Sequence, residues 1–132
     1  MATEILVNDG GAPARILPFV SAGTITAGMI LNVDANGKVV PADTDLDPGL
    51  DCYVAGVALT DAASGEMCNV VSGSGIIVMA LAGDTGGNIG KAYGLGATAG
   101  QLDTTTTVGT AWGIALSDNL GAAALAKFLV VA

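Results

Sequence analysis

Short apolar runs broken by glycine decide what this chain can fold into. The run from Ile76 to Ala82 spans seven residues, where a membrane-spanning helix needs about twenty. Apolar positions show no helical period, and glycine inside a helix costs about 1 kcal/mol relative to alanine. The pattern predicts many short strands joined by tight turns, hence an all-β chain built as a small antiparallel β-barrel or sandwich. Alanine and glycine together make 43 of the 132 residues, 23 and 20 respectively, so small side chains carry most of the packing. The mean hydropathy of +0.66 is largely alanine.

Three hairpins are expected. Met29 to Val33 is followed by Asp34-Ala35-Asn36-Gly37 and then by Lys38-Val39-Val40; Asn-Gly between β-prone runs is a strong hairpin signal, because both residues tolerate positive φ. A second hairpin is predicted where Glu66 to Val71 meets Ile76 to Ala82 across Ser72-Gly73-Ser74-Gly75. A third pairs Ala92 to Leu95 with Gln101 to Asp103, and Ala111 to Leu116 and Lys127 to Val131 follow as late strands.

An internal echo runs through these elements. Gly56-Val57-Ala58-Leu59-Thr60-Asp61 returns as Gly113-Ile114-Ala115-Leu116-Ser117-Asp118, and upstream Ile25 and Gly37-Lys38-Val39 return as Ile89 and Gly100-Gln101-Leu102. The spacing is six residues longer for the earlier match, and the excess falls on the acidic stretch Asp43 to Asp51. Two copies of a hairpin-plus-strand unit, packed face to face, predict a pseudo-symmetric barrel. Residues 1–20 differ in character. Asn8-Asp9-Gly10-Gly11-Ala12-Pro13 reads as a turn or linker, and Pro18 makes Ile16 to Val20 a poor central strand. An extended N-terminal arm over 1–20 and a single barrel domain over 21–132 are therefore expected.

Charge and composition narrow the function. Four basic and twelve acidic residues give a net charge of −8, and Arg15, Lys38, Lys91 and Lys127 are too scattered to form a basic patch. Nucleic acid and membrane are not expected partners. Histidine is absent, which removes Ser-His-Asp and Cys-His catalysis and histidine metal sites. Met1-Ala2-Thr3-Glu4 lacks the basic start of a signal peptide, so assembly in a cytoplasm is the default. Cys52 and Cys68 lack the spacing of a zinc or redox motif and are read as reduced, half-buried side chains.

The remaining motifs fall short of chemistry. Asp43-Thr44-Asp45-Leu46-Asp47 begins like a calcium loop, but Pro48 stands where glycine is needed and Val54 where a bidentate Glu is needed. Gly86-Gly87-Asn88-Ile89-Gly90-Lys91-Ala92 is one residue short of a phosphate loop, and Ala92 has no hydroxyl for magnesium. Thr104 to Thr107 offer hydroxyls without a base, and nothing pairs Glu66 with a second carboxylate. No catalytic residue, metal or cofactor is expected, and the chain does not read as an enzyme.

At Gly56-Val57-Ala58-Leu59-Thr60-Asp61-Ala62-Ala63-Ser64-Gly65-Glu66, taken with Ile25-Thr26-Ala27-Gly28 and Gly37-Lys38-Val39, the chain resembles the small capsid decoration, or cement, proteins of tailed bacteriophages. The resemblance covers about residues 20 to 131 and is written in Ala, Gly and Val. It implies small β-barrel subunits, usually homotrimers, seated outside the head lattice where copies of the major capsid protein meet. The acidic insertion Asp43 to Asp51 departs from the family pattern. Candidate contacts with the shell or with other copies are Ile16, Leu17, Pro18 and Phe19 of the arm, and Trp112, a core or interface anchor.

The expected function is thus a virion protein on the capsid exterior that stabilises the expanded head. Three copies would carry about −24, a charge that repels packaged DNA and argues against an interior position. Ordering Ala and Gly side chains costs almost no entropy, which suits repeated flat contacts. The alternatives are a head-fibre base or minor tail component, and, from another class, a small acidic carbohydrate-binding module.

Overall fold

Strands that alternate in burial dominate the computed structural model, which describes residues 5–8, 15–34, 36–42, 54–83, 89–95, 98–104, 112–117 and 124–131. Among these described residues eleven strands form: β1 (Leu6–Asn8), β2 (Arg15–Val20), β3 (Ile30–Val33), β4 (Val39–Pro41), β5 (Val54–Ala58), β6 (Met67–Ser72), β7 (Ile77–Ala82), β8 (Ala92–Leu95), β9 (Leu102–Thr104), β10 (Gly113–Ala115) and β11 (Ala124–Val130). Among the described residues the chain is all-β. In β7, Val78, Ala80 and Ala82 are buried while Ile77, Met79 and Leu81 are half-buried, the period-two signature of a strand with one face on the core.

The strands make two sheets of one topology. The first runs β2-β6-β5-β3-β4; the second runs β7-β11-β10-β8-β9, with β1 added on β7. Each sheet curls until the first and last strands of that order meet in a parallel bridge, Ser21, just past β2, with Val39 of β4 in the first and Ala82 of β7 with Leu102 of β9 in the second. The pairing register repeats as well. Leu31 opposite Gly56 recurs as Tyr93 opposite Gly113, and Val33 opposite Val39 as Leu95 opposite Leu102. Phe19 opposite Cys68 recurs as Ala80 opposite Ala126, and Ala58 opposite Val70 as Ala115 opposite Phe128. Turn bonds follow the same rule: Gly28 N–H donates to the Ala58 carbonyl, and Gly90 N–H to that of Ala115.

The internal echo is therefore structural, but its unit is a five-stranded sheet closed on itself rather than a hairpin plus strand. One expected hairpin is corrected by this topology. β6 and β7 are both strands, yet they pair with β2 and β5 and with β1, β9 and β11 respectively. Ser72 to Gly75 is the crossover from the end of one copy to the start of the next. The other two hairpins form as expected, β3 with β4 and β8 with β9. At the first, Gly37 takes φ 77°, and the Asp34 carboxylate accepts from the N–H groups of Asn36 at 2.8 Å and Lys38 at 3.0 Å, an Asx-type turn.

The described residues pack into two apolar clusters. The smaller lies inside the first sheet: Ile25, Leu31, Val39, Ala58, Ala62, Cys68 and Val70. The larger joins the interior of the second sheet, with Tyr93, Leu102, Ala115 and Phe128, to Ile30, Val57 and Val71 from the opposite face of the first. The copies are also stitched by backbone bonds, Leu81 N–H to the Gly28 carbonyl at 2.9 Å and Ile30 N–H to that of Gly100 at 3.2 Å. The leading twenty residues supply strands to both copies: β1 lies on β7, and β2 is the outer strand of the first sheet, where Pro18 is tolerated.

Candidate interaction surface

The residues that carry the family resemblance turn out to build the fold. Gly56 takes φ 148°, and a Cβ there would collide with the Val71 carbonyl oxygen on the neighbouring strand, so only glycine lets β5 lie this close to β6. The Asp61 carboxylate accepts from Ala27 N–H at 2.7 Å, and that of Glu66 from Ala63 N–H at 2.7 Å. Gly65 N–H donates to the Ser21 carbonyl, while the buried Ser21 hydroxyl donates towards the carbonyls of Ala63 at 2.5 Å and Glu66 at 3.1 Å. This stretch pins the β5–β6 turn onto the end of β2. Glu66 is accordingly a turn-holding carboxylate.

The five candidate contact residues separate into two places. Ile16, Leu17, Pro18 and Phe19 lie together on β2, with Ile16 and Leu17 each 50% exposed, Pro18 exposed and Phe19 half-buried against the first cluster. Trp112 is elsewhere: it is 7% exposed and packs in the larger cluster, its backbone N–H donating to the Tyr93 carbonyl at 2.7 Å. Of the two roles open to it in sequence, the core is the one it occupies in the single chain.

Met67, unremarked in sequence, belongs with the β2 group. It is 58% exposed and stands opposite Val20 in the β2–β6 ladder, and Asn69 stands opposite Pro18. Because Cys68 and Val70 face the interior, strand alternation turns Met67 and Asn69 outward with Ile16, Pro18 and Val20. The alternation of Met67 with buried Cys68 is the sequence signal that could have found it. A mostly apolar face at the rim of the first sheet results, the kind of surface that marks an interaction site.

Other candidate motifs are partly described. Ile89 and Gly90 form a turn, with Gly90 bonded to Ala115, and Gly90 corresponds to Gly28 of the first copy; the reading of a glycine-rich turn holds for these residues. Asp43 to Asp51, Cys52, Gly86 to Asn88 and Thr105 to Thr107 lie outside the described residues. Cys68 is a buried free thiol, and burial pushes its pKa above the ordinary range. Among the described residues no group of three His, Cys, Asp or Glu side chains comes together.

The architecture has a counterpart among solved structures. It is similar to the N base of the head fibre protein gp8.5 of bacteriophage phi29, with a TM-score of 0.65 and 16% sequence identity over 89% of this chain and 94% of that one. The likeness is one of fold. Neither a family model nor a curated protein matches the chain.

Proposed function

We propose that this chain is a structural protein of a tailed-phage virion, seated on the outer surface of the capsid as a decoration protein. The observation that carries the reading is the shared architecture with a phage head-fibre base, extending over nearly the full length of both chains. The decoration-family resemblance of residues 20 to 131 points the same way. In this reading the chain is not an enzyme. It acts by covering area, with the major capsid protein as its partner and other copies of itself as neighbours in a homotrimer.

The exposed strand β2 and Met67 suit such a role, because their large apolar side chains gain by leaving water when a second surface packs on them. Trimerisation multiplies modest contacts by effective concentration. A second reading, the base on which a head fibre is mounted, is favoured by the identity of the structural neighbour. The two differ in stoichiometry. Quantifying the protein in purified heads tests both: saturation of the shell lattice supports decoration, a small fixed number per head supports a fibre base, and absence from intact heads removes both.

A further inference from the structure

The two copies of the fold are equivalent at every strand pairing given above, yet they differ at one edge. On β7 the outward N–H positions face partners: Asn8 stands opposite Ile77, Met79 N–H donates to the Ile5 carbonyl at 2.8 Å, Leu81 N–H to that of Gly28 and Gly83 N–H to that of Leu102, both at 2.9 Å. The corresponding positions on the first copy are Ile16, Pro18, Val20 and Ala22. Only Ala22 is met, its N–H donating to the Val39 carbonyl at 2.9 Å. Ser21 N–H donates to the carbonyl of Glu66, the residue just before β6, so strand alternation turns the N–H groups of Ile16 and Val20 away from β6. Neither has a partner among the described residues, and Pro18 has no N–H to offer.

Side chains record the same difference. Val78, opposite Leu6 of β1, is fully buried; Leu17, its equivalent, is 50% exposed. Strand β1 thus seals the second copy, and nothing among the described residues seals the first. We propose that the outward edge of β2 is an acceptor for an extended apolar segment with acidic flanks, added antiparallel by a different protein chain; under the function proposed above, the capsid shell supplies it.

Three observations select that occupant. Among the described residues there is one β1 for two such edges, so exchanging β1 between copies leaves one edge per chain unmet by it. Pairing β2 with β2 of a second copy about a two-fold centred on Pro18 sets two prolines face to face with no donor between their carbonyls. Charge selects the flanks. Arg15 begins the open edge, and the bridge between Ser21 and Val39 brings exposed Lys38 beside Val20 at its other end, placing two of the four cations of a chain of net charge −8 at one edge. Strand addition of this kind draws affinity from main-chain bonds and specificity from alternate side chains.

Residues 3–9 of the chain, Thr-Glu-Ile-Leu-Val-Asn-Asp, supply a probe, since Ile5 and Leu6 fill the equivalent edge and carboxylates flank them. Amide hydrogen exchange of the full-length protein with millimolar synthetic peptide should slow at least tenfold at Ile16 and Val20 and stay unchanged at Met79. Leu17→Asp should abolish the slowing without changing the melting temperature, and Arg15→Glu should weaken peptide binding several-fold. Three results overturn the proposal: no slowing at Ile16 and Val20; changes confined to Met79, meaning the peptide only replaces β1; or protection of Ile16 and Val20 in the free protein that grows with its concentration, meaning a second copy fills the edge. The experiment contains no heads, so its failure is separate from failure of the virion reading.

Discussion

Tyr93 and Phe128 meet edge to face inside the second sheet, with ring centroids 5.0 Å apart and planes at 67°. The equivalent positions of the first sheet hold Leu31 and Val70. Two copies of one framework are thus filled differently, and the aromatic pair anchors the larger cluster that also receives Ile30, Val57 and Val71 from the first copy. Both rings are buried. Phe128→Ala should therefore cost about 3–5 kcal/mol, read as a lower denaturant midpoint. A loss within about 0.5 kcal/mol would contradict a shared, close-packed core.

Gly56 and Gly113 occupy matching places, but only Gly56 combines a left-handed φ with a clash against the Val71 carbonyl. At Gly113 a Cβ would lie 3.1 Å from the Leu129 carbonyl oxygen, a tight approach but a lesser one than at Gly56. Gly56→Ala should cost more than about 1 kcal/mol and Gly113→Ala clearly less. Equal melting temperatures for the two variants would count against the geometry described for β5.

Burial of the Cys68 thiol raises its pKa by desolvation, so the unfolded chain ionises first as pH rises. Its contribution to stability is full below the ordinary thiol range and declines above about pH 8.5. In a Cys52→Ser background, thiol labelling at neutral pH should proceed only as fast as the protein opens. Labelling at the rate of an unfolded control would show the site to be open.

The β2 surface should be separable from stability. Met67→Ser and Leu17→Asp change side chains half or more exposed, and each is expected to shift stability by no more than about 0.5 kcal/mol. Light scattering of the parent protein at micromolar concentration should report about three protomers. A monomer at that concentration would contradict the trimer.

Much of the architecture was legible. Asn36-Gly37 marked its hairpin because positive φ is a local demand, and the echo of Gly56 to Asp61 in Gly113 to Asp118 announced the duplication because both stretches meet the same close strand approach. The crossover at Ser72 to Gly75 was not legible: a small-residue loop between two strands looks alike whether the strands pair with each other or with distant partners. Trp112 could not be assigned, since a large ring in an alanine-rich chain serves core and interface equally. Ile16 to Phe19 were visible as an apolar group, but their open edge emerges only when β2 is laid beside β7. Neither strand's neighbours are written in its own residues.

Under the function proposed above, the protein binds the outside of an expanded head and stabilises it. A partner that binds one lattice state stabilises that state in proportion to occupancy. Heads lacking the protein should be titrated with it and heated, with release of packaged DNA as the readout. The rupture temperature should rise with added protein and level off when the shell sites are full. Rupture at the same temperature for bare and saturated heads would contradict it.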